Sequence, residues 1–135
     1  MSAVNPKDRA GLAKPNLSRI PFAPLMEVIC ALEEGARKYG PWNWRSESIN
    51  EQVYADAAIR HLMQWLSGED VDPDSGINHI SKAIAGLIIL RDAQMHNCSI
   101  DTRTHESSLN IDKAMLHIAA IHERYPQRET PDAQG

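Results

Sequence analysis

Between Glu69 and His79 the chain reads Glu-Asp-Val-Asp-Pro-Asp-Ser-Gly-Ile-Asn-His, with four carboxylates and an imidazole within eleven residues. Gly68, Pro73 and Gly76 interrupt helical periodicity there, so the acids are expected on a turn rather than on a helix face. Like charges packed this densely repel unless a cation neutralises them, and oxygen-rich clusters suit hard ions such as Mg²⁺ or Mn²⁺. Glu69 and Asp72 are the metal-ligand candidates of this stretch, and His79 is a candidate for proton transfer. The plain alternative is a solvated acidic loop in which Asp74 or Ser75 caps the following helix.

Two further stretches carry chemistry. Lys38-Tyr39-Gly40-Pro41-Trp42-Asn43-Trp44-Arg45 combines two cations, three aromatics and an amide. Indoles offer stacking surfaces for a base, and an Asn can donate to and accept from a purine edge. Lys and Arg suit phosphate oxygens. Lys38, Asn43 and Trp44 are therefore candidate substrate contacts, against the reading that the indoles merely cover the core. Asp56-x-x-x-Arg60-His61 supplies a carboxylate, a candidate phosphate clamp in Arg60 and a second candidate proton-transfer group in His61. The bland counterpart is a surface cation beside a satisfied core histidine. There is no glycine-rich phosphate loop, HExxH, CxxC pair or adjacent His-Asp pair. His96, His105, His117 and His122 show no ligand spacing.

Helices must position these groups. Leu25, Val28, Ile29, Leu32 and Ala36 recur at helical spacing and predict a helix from about Pro24 to Lys38, stopped by Gly40-Pro41. On a helical wheel Glu33 lies at the edge of that apolar stripe, which makes it a metal-ligand candidate. Glu27 and Glu34 point away from the stripe, toward solvent or a subunit contact. A second helix is predicted from Asn50 to Leu66, with Asp56 and His61 at opposite borders of its apolar arc, where bundle proteins hold ligands. A third, from Ser75 to Met95, is apolar over more than half its circumference and should be the most buried. A fourth is predicted from Leu109 to Arg124, with residues 1–21 and 96–107 loop-like, the tail from Pro126 disordered and no strand pairs.

The chain of 135 residues, 42% hydrophobic and 24% charged with net charge −4, is expected to be a single all-α domain with its core over about 18–124. The acidic balance argues against a partner of polymeric nucleic acid. Two cysteines, Cys30 and Cys98, read as reduced packing residues. The lack of an apolar leader or of a run long enough to span a bilayer predicts a cytoplasmic protein without a membrane partner. The breadth of the apolar arc on the third helix predicts self-association as a homodimer or homotetramer.

Lys38-Tyr39-Gly40-x-x-Asn43-Trp44, Asp56-x-x-x-Arg60-His61 and Gly68-Glu69-x-x-Asp72-Pro73-x-Ser75-Gly76-x-x-His79, in that order, resemble the phage dATP/dGTP diphosphohydrolase N-terminal family. The resemblance extends over about residues 15–95 and takes in MazG-like enzymes of cyanophages that replace adenine with 2-aminoadenine. The resemblance implies a MazG-like four-helix bundle, oligomeric, that uses Mg²⁺ or Mn²⁺ on helix carboxylates to hydrolyse a purine nucleoside triphosphate. It further implies conversion of dGTP or GTP to the monophosphate for 2-aminoadenine nucleotide synthesis. On the reading of the residues, the expected ligand pool is Glu33, Asp56, Glu69 and Asp72, with Lys38, Arg60, Asn43 and Trp44 on substrate and His61 and His79 in phosphate contact or proton transfer. MazG enzymes carry EExxE and ExxD. Here Arg37 stands where the third acid of Glu33-Glu34 would be, and either the first or the second helix could take that role. A non-catalytic helical interaction module and a nucleotide-sensing regulator are the competing readings.

Overall fold

The computed structural model describes residues 3–104 and 109–129, and divides into two compact units, 1–103 and 104–135. The first unit contains α1 (Pro6–Leu12), a 3-10 turn (Leu17–Arg19), α2 (Phe22–Tyr39), α3 (Asn43–Ser46), β1 (Ile49–Asn50), α4 (Glu51–Leu66), α5 (His79–Met95) and β2 (Ser99–Ile100). The second contains α6 (Ile111–Arg124). The all-α class expected from periodicity is the observed one.

The long helices start and stop on local chemistry. Gly40, at φ 92°, ends α2 in a conformation that a Cβ would resist, and its N–H reaches the Ala36 carbonyl at 2.9 Å. The Asn50 side chain accepts from the Val53 N–H at 3.3 Å and opens α4. Helix α5 starts four residues later than the apolar periodicity suggests. Its cap is Asn78, which accepts from the Ile80 N–H at 2.8 Å, and not Asp74 or Ser75. The intervening residues close a tight turn instead. The Asp72 N–H donates to Ile77 O (2.9 Å), the Gly76 N–H to Asp72 O (2.7 Å), and Gly76 sits at φ 73°. These bonds satisfy the backbone locally, and the helix has no need to begin earlier.

Helix α5 is the centre of the unit, packed on α4 and on α2. Among the described residues, five of the eight that are buried belong to it: His79, Ser81, Ala83, Ala85 and Ala93. Alternate positions from 79 to 85 lie on roughly opposite sides of a helix with about 100° per residue, so α5 is covered from two directions. The alanines let the neighbouring backbones come close. A second clamp sits at its other end. Asp92 accepts from Trp44 Nε1 (2.7 Å), Arg45 Nε (2.8 Å) and Arg45 Nη2 (2.8 Å), which fixes α3 to α5.

Several expectations are corrected. Residues 1–21 are not all loop, because Asn5 caps α1 through bonds to the Lys7 and Asp8 N–H groups. A parallel strand pair joins Ile49 to Ser99 and Asn50 to Ile100, too short to leave an alternating pattern in the sequence. Cys30 is exposed rather than packed. Residues 126–129 form no regular element, and the expected disorder of 130–135 falls outside the described residues, as do 105–108 of the expected linker. Among the described residues no helix is long and apolar enough to cross a membrane.

Two outcomes test this frame. Asn78→Ala should cost about 1 kcal/mol of stability in chemical denaturation, the usual worth of an N-cap. The hydrogen bonds from Arg45 and then Trp44 hold the Asp92 carboxyl well below its ordinary value of 3.8, so the unfolded chain takes up that proton first on acidification. The clamp's contribution is complete above pH 3.8 and is lost as pH falls toward the depressed folded value. Thermal melts of Asp92→Asn should therefore show a lower Tm near neutrality and a shallower acid decline than the parent chain.

Candidate active site

The turn between α4 and α5, the second half of α2 and the first turn of α5 bring one group of ionisable side chains together. Lys82 on α5 is its hub: Nζ lies 3.0 Å from Asp72 Oδ2 on the turn and 3.4 Å from Glu34 Oε1 on α2. Lys38, one helical turn beyond Glu34, reaches the same Glu34 oxygen at 2.7 Å and Asp74 Oδ2 at 3.5 Å. Glu34 Oε2 is buried and has no hydrogen-bond partner among the described residues. That oxygen is where an additional cation or donor fits, because a buried carboxylate oxygen left unpaired is costly.

The electrostatics follow from this arrangement. The hydrogen bond from Lys82 is the main reason that the Asp72 carboxyl lies below its ordinary value, aided by the Asp74 N–H at 3.0 Å and the charge of Lys82. Burial pushes Glu34 up, but Lys38 and Lys82 together outweigh it and keep that carboxyl low as well. Glu34 in turn raises Lys38. Both carboxylates are thus held anionic. Behind them, His79 is fully buried, with Nε2 2.7 Å from Glu69 Oε1 and Nδ1 2.8 Å from His61 Nδ1. Burial, followed by the charge of Lys82, depresses the His61 imidazole, with Asp72 opposing.

A cavity of about 290 Å³ opens between α2, α4 and α5 beside these groups. Its polar lining is Glu34, Lys38, Tyr39, Tyr54, His61 and Lys82. Burial, with a smaller effect of Tyr39, raises the Tyr54 phenol, so Tyr54 stays neutral and can donate a hydrogen bond. An apolar-walled cavity with convergent charges at one end is the form of a small-molecule site.

Of the residues singled out in the sequence, Lys38, His61, Glu69, Asp72 and His79 come together here. Glu33 does not. Its side chain is two-thirds exposed, it pairs with Arg37 at 3.2 Å, and it lines a separate cavity of about 390 Å³ with Trp42, Trp44 and Arg45. Glu34 and Glu27, placed toward solvent by the wheel, are the acids of α2 that bond to α5, Glu27 through Ser81 Oγ at 2.7 Å. The wheel misplaced Glu34 because it ranks faces by carbon alone, and α5 presents Lys82 on the side toward α2; Glu27 is exposed as expected, though it accepts from Ser81. Asp56 and Arg60 are exposed on α4 and outside the cluster. Trp44 spends its N–H on Asp92, roughly 20 Å along the α5 axis from His79 at about 1.5 Å per residue. Asn43 opens α3 at that same end. Arg45 stacks over Trp42 at 4.4 Å. The stretch from Lys38 to Arg45 thus serves two places rather than one.

Lys82 and Glu34 are the functional candidates that sequence reasoning passed over. The signal for Lys82 was a lone ammonium inside the apolar run of α5; that for Glu34 was its i,i+4 spacing to Lys38.

With this geometry in place, residues 4–103 match the profile of the family described as dATP/dGTP diphosphohydrolase, N-terminal. The chain belongs to that family. The matched segment coincides with the first compact unit and contains every group of the cluster. A stretch of 64 residues is 33% identical to the dATP/dGTP diphosphohydrolase of Salmonella phage PMBT28, covering 47% of this chain and 21% of that protein. The chain therefore spans about a fifth of the length of the curated relative it matches. No solved structure matches it.

Replacing Lys82 with Met should let the Asp72 carboxyl titrate closer to its ordinary 3.8, because its strongest partner is gone. Carboxyl ¹³C shifts against pH read this directly. A titration identical to that of the parent chain would remove Lys82 from the centre of the site.

Proposed function

We propose that this chain hydrolyses the phosphoanhydride linkage of purine nucleoside triphosphates to give the monophosphate, with a divalent cation as cofactor. The observation carrying this reading is the convergence of two anionic carboxylates and two ammoniums, Glu34, Asp72, Lys38 and Lys82, at one end of an apolar-walled cavity. Family membership supports the reaction class, and the family description supports dATP and dGTP as the substrate class. Conversion of dGTP or GTP to dGMP or GMP, feeding 2-aminoadenine nucleotide synthesis, is the finer proposal and rests on the motif resemblance.

Mg²⁺ or Mn²⁺ fits the carboxylate pair: both acids are held ionised, and Glu34 Oε2 has an unused acceptor position. Such an ion supplies charge neutralisation on the phosphate oxygens and a more acidic water. The chain's own residues do the rest. Lys38 and Lys82 are placed to exchange part of their carboxylate contacts for phosphate oxygens, which neutralises the chain of phosphates without moving a helix. Tyr54 and Tyr39 offer aromatic wall and phenolic donors. In the reaction, a water oxygen bonds to phosphorus as the bridging P–O bond breaks. The water proton passes to solvent or a basic side chain, and the leaving group, diphosphate in one step or phosphate in each of two, keeps the electron pair. Self-association as a dimer or tetramer is part of the proposal. Among the described residues, four of the six buried hydrophobic ones are alanines, whereas Ile59, Leu62, Met63 and Trp65 of α4 are exposed.

Incubation with the eight common NTPs and dNTPs plus Mg²⁺ or Mn²⁺, resolving monophosphate and released phosphates, tests the activity. Asp72→Asn should lower Mn²⁺-dependent dGTP hydrolysis by about a hundredfold or more with the helical circular dichroism unchanged. Undiminished activity in that variant would overturn the site. No hydrolysis of any nucleotide by the parent chain would favour the interaction-module or sensor reading.

A further inference from the structure

The histidine pair behind the carboxylates has a ligand geometry of its own. His61 and His79 approach nitrogen to nitrogen, Nδ1 to Nδ1 at 2.8 Å, with ring planes tilted by 43°. Glu69 Oε1 lies 2.7 Å from His79 Nε2, so that nitrogen carries the proton donated to the carboxylate. His79 Nδ1 then bears a lone pair, and the ring that holds it is fully buried. This lone pair, a ring nitrogen of His61 and a carboxylate oxygen of Asp72 all lie within 4.8 Å of one another.

We propose that His61, His79 and Asp72 form a two-nitrogen, one-oxygen site for a borderline divalent ion of the Mn²⁺, Co²⁺ and Zn²⁺ class, and not for Mg²⁺. Imidazole suits that class, whereas Mg²⁺ demands an octahedron of oxygens. Ligand atoms about 2.0–2.2 Å from such an ion stand about 3–4 Å from each other, within small side-chain adjustments of the observed triangle. The hydrogen bond from His79 to Glu69 is the arrangement in which a carboxylate orients a ligating histidine and raises its basicity. Around the site the carboxylates of Glu34, Glu69, Asp72 and Asp74 stand against the ammoniums of Lys38 and Lys82 and, acting on His61, the Arg60 guanidinium. Lys82 and the Asp74 N–H each take one acceptor direction of Asp72, on Oδ2 and Oδ1, and a carboxylate has about four. This site deepens the metal-dependent reading above and rests on it for the ion's use, though not for its binding.

Titration of the full chain with Co²⁺, without nucleotide, and observation of the visible d–d bands tests the proposal. A saturable band of one equivalent is expected, displaced by Zn²⁺ and Mn²⁺ and unmoved by about a hundredfold excess of Mg²⁺. His61→Ala should weaken Co²⁺ binding at least tenfold. Glu69→Gln, a positioning change on a half-exposed residue, should weaken it about 10- to 100-fold. His96, His117 and His122 remain in both variants, so lost binding cannot come from them. A full-strength band in either folded variant, or displacement by Mg²⁺, overturns the site. Should His61→Ala fail to fold by circular dichroism, Glu69→Gln decides alone. Hydrolysis measured in parallel keeps the two readings apart. Activity with Mg²⁺ but no histidine-dependent band sinks this site only, and a band without hydrolysis of any nucleotide sinks the enzymatic reading only.

Discussion

Lys82 is the group on which the rest of the site depends. It rises from the first turns of α5, is largely shielded from solvent, and reaches Asp72 on the preceding turn and Glu34 on α2. One ammonium thereby joins three elements that are distant in sequence. A charge in so shielded a place is tolerated only when it is paired, and paired carboxylates need it equally. The turn, the end of α2 and the start of α5 are therefore held in mutual register by electrostatics where apolar contact is thin.

The two ends of α5 divide the labour. At its start, His79, Lys82 and the turn carboxylates gather the ionisable groups beside the cavity; at its end, Asp92 anchors α3 through Trp44 and Arg45. Between them, Ala83 and Ala85 keep the helix narrow enough for α2 and α4 to close on both sides. That close approach brings His61 of α4 to His79 of α5, and Glu34 of α2 to Lys82. Chemistry at one end thus depends on small residues in the middle.

Much was legible without coordinates. Apolar spacing identified four of the helices, Gly40 marked the end of α2, and Lys38, His61, Glu69, Asp72 and His79 were singled out by type and spacing alone. These are readable because helix periodicity, glycine at positive φ and like charges on a short turn leave one-dimensional traces. The two-residue strands left none. Trp44 was legible as important but not in its role, since its partner Asp92 lies 48 residues away.

The sequence by itself determined the helical class, the acidic turn and the family, because each is a matter of local pattern. Tertiary structure alone decided which acids face inward. Glu33 and Glu34 are adjacent and chemically alike, and a wheel drawn on carbon positions prefers Glu33. The choice falls on Glu34 because Lys82, 48 residues onward, waits across the α2–α5 seam, and long-range charge pairing outweighs a small difference in wheel angle. In the same way the acidic turn, first notable for four carboxylates, owes its chemical form to the lysine and the two histidines that packing brings to it.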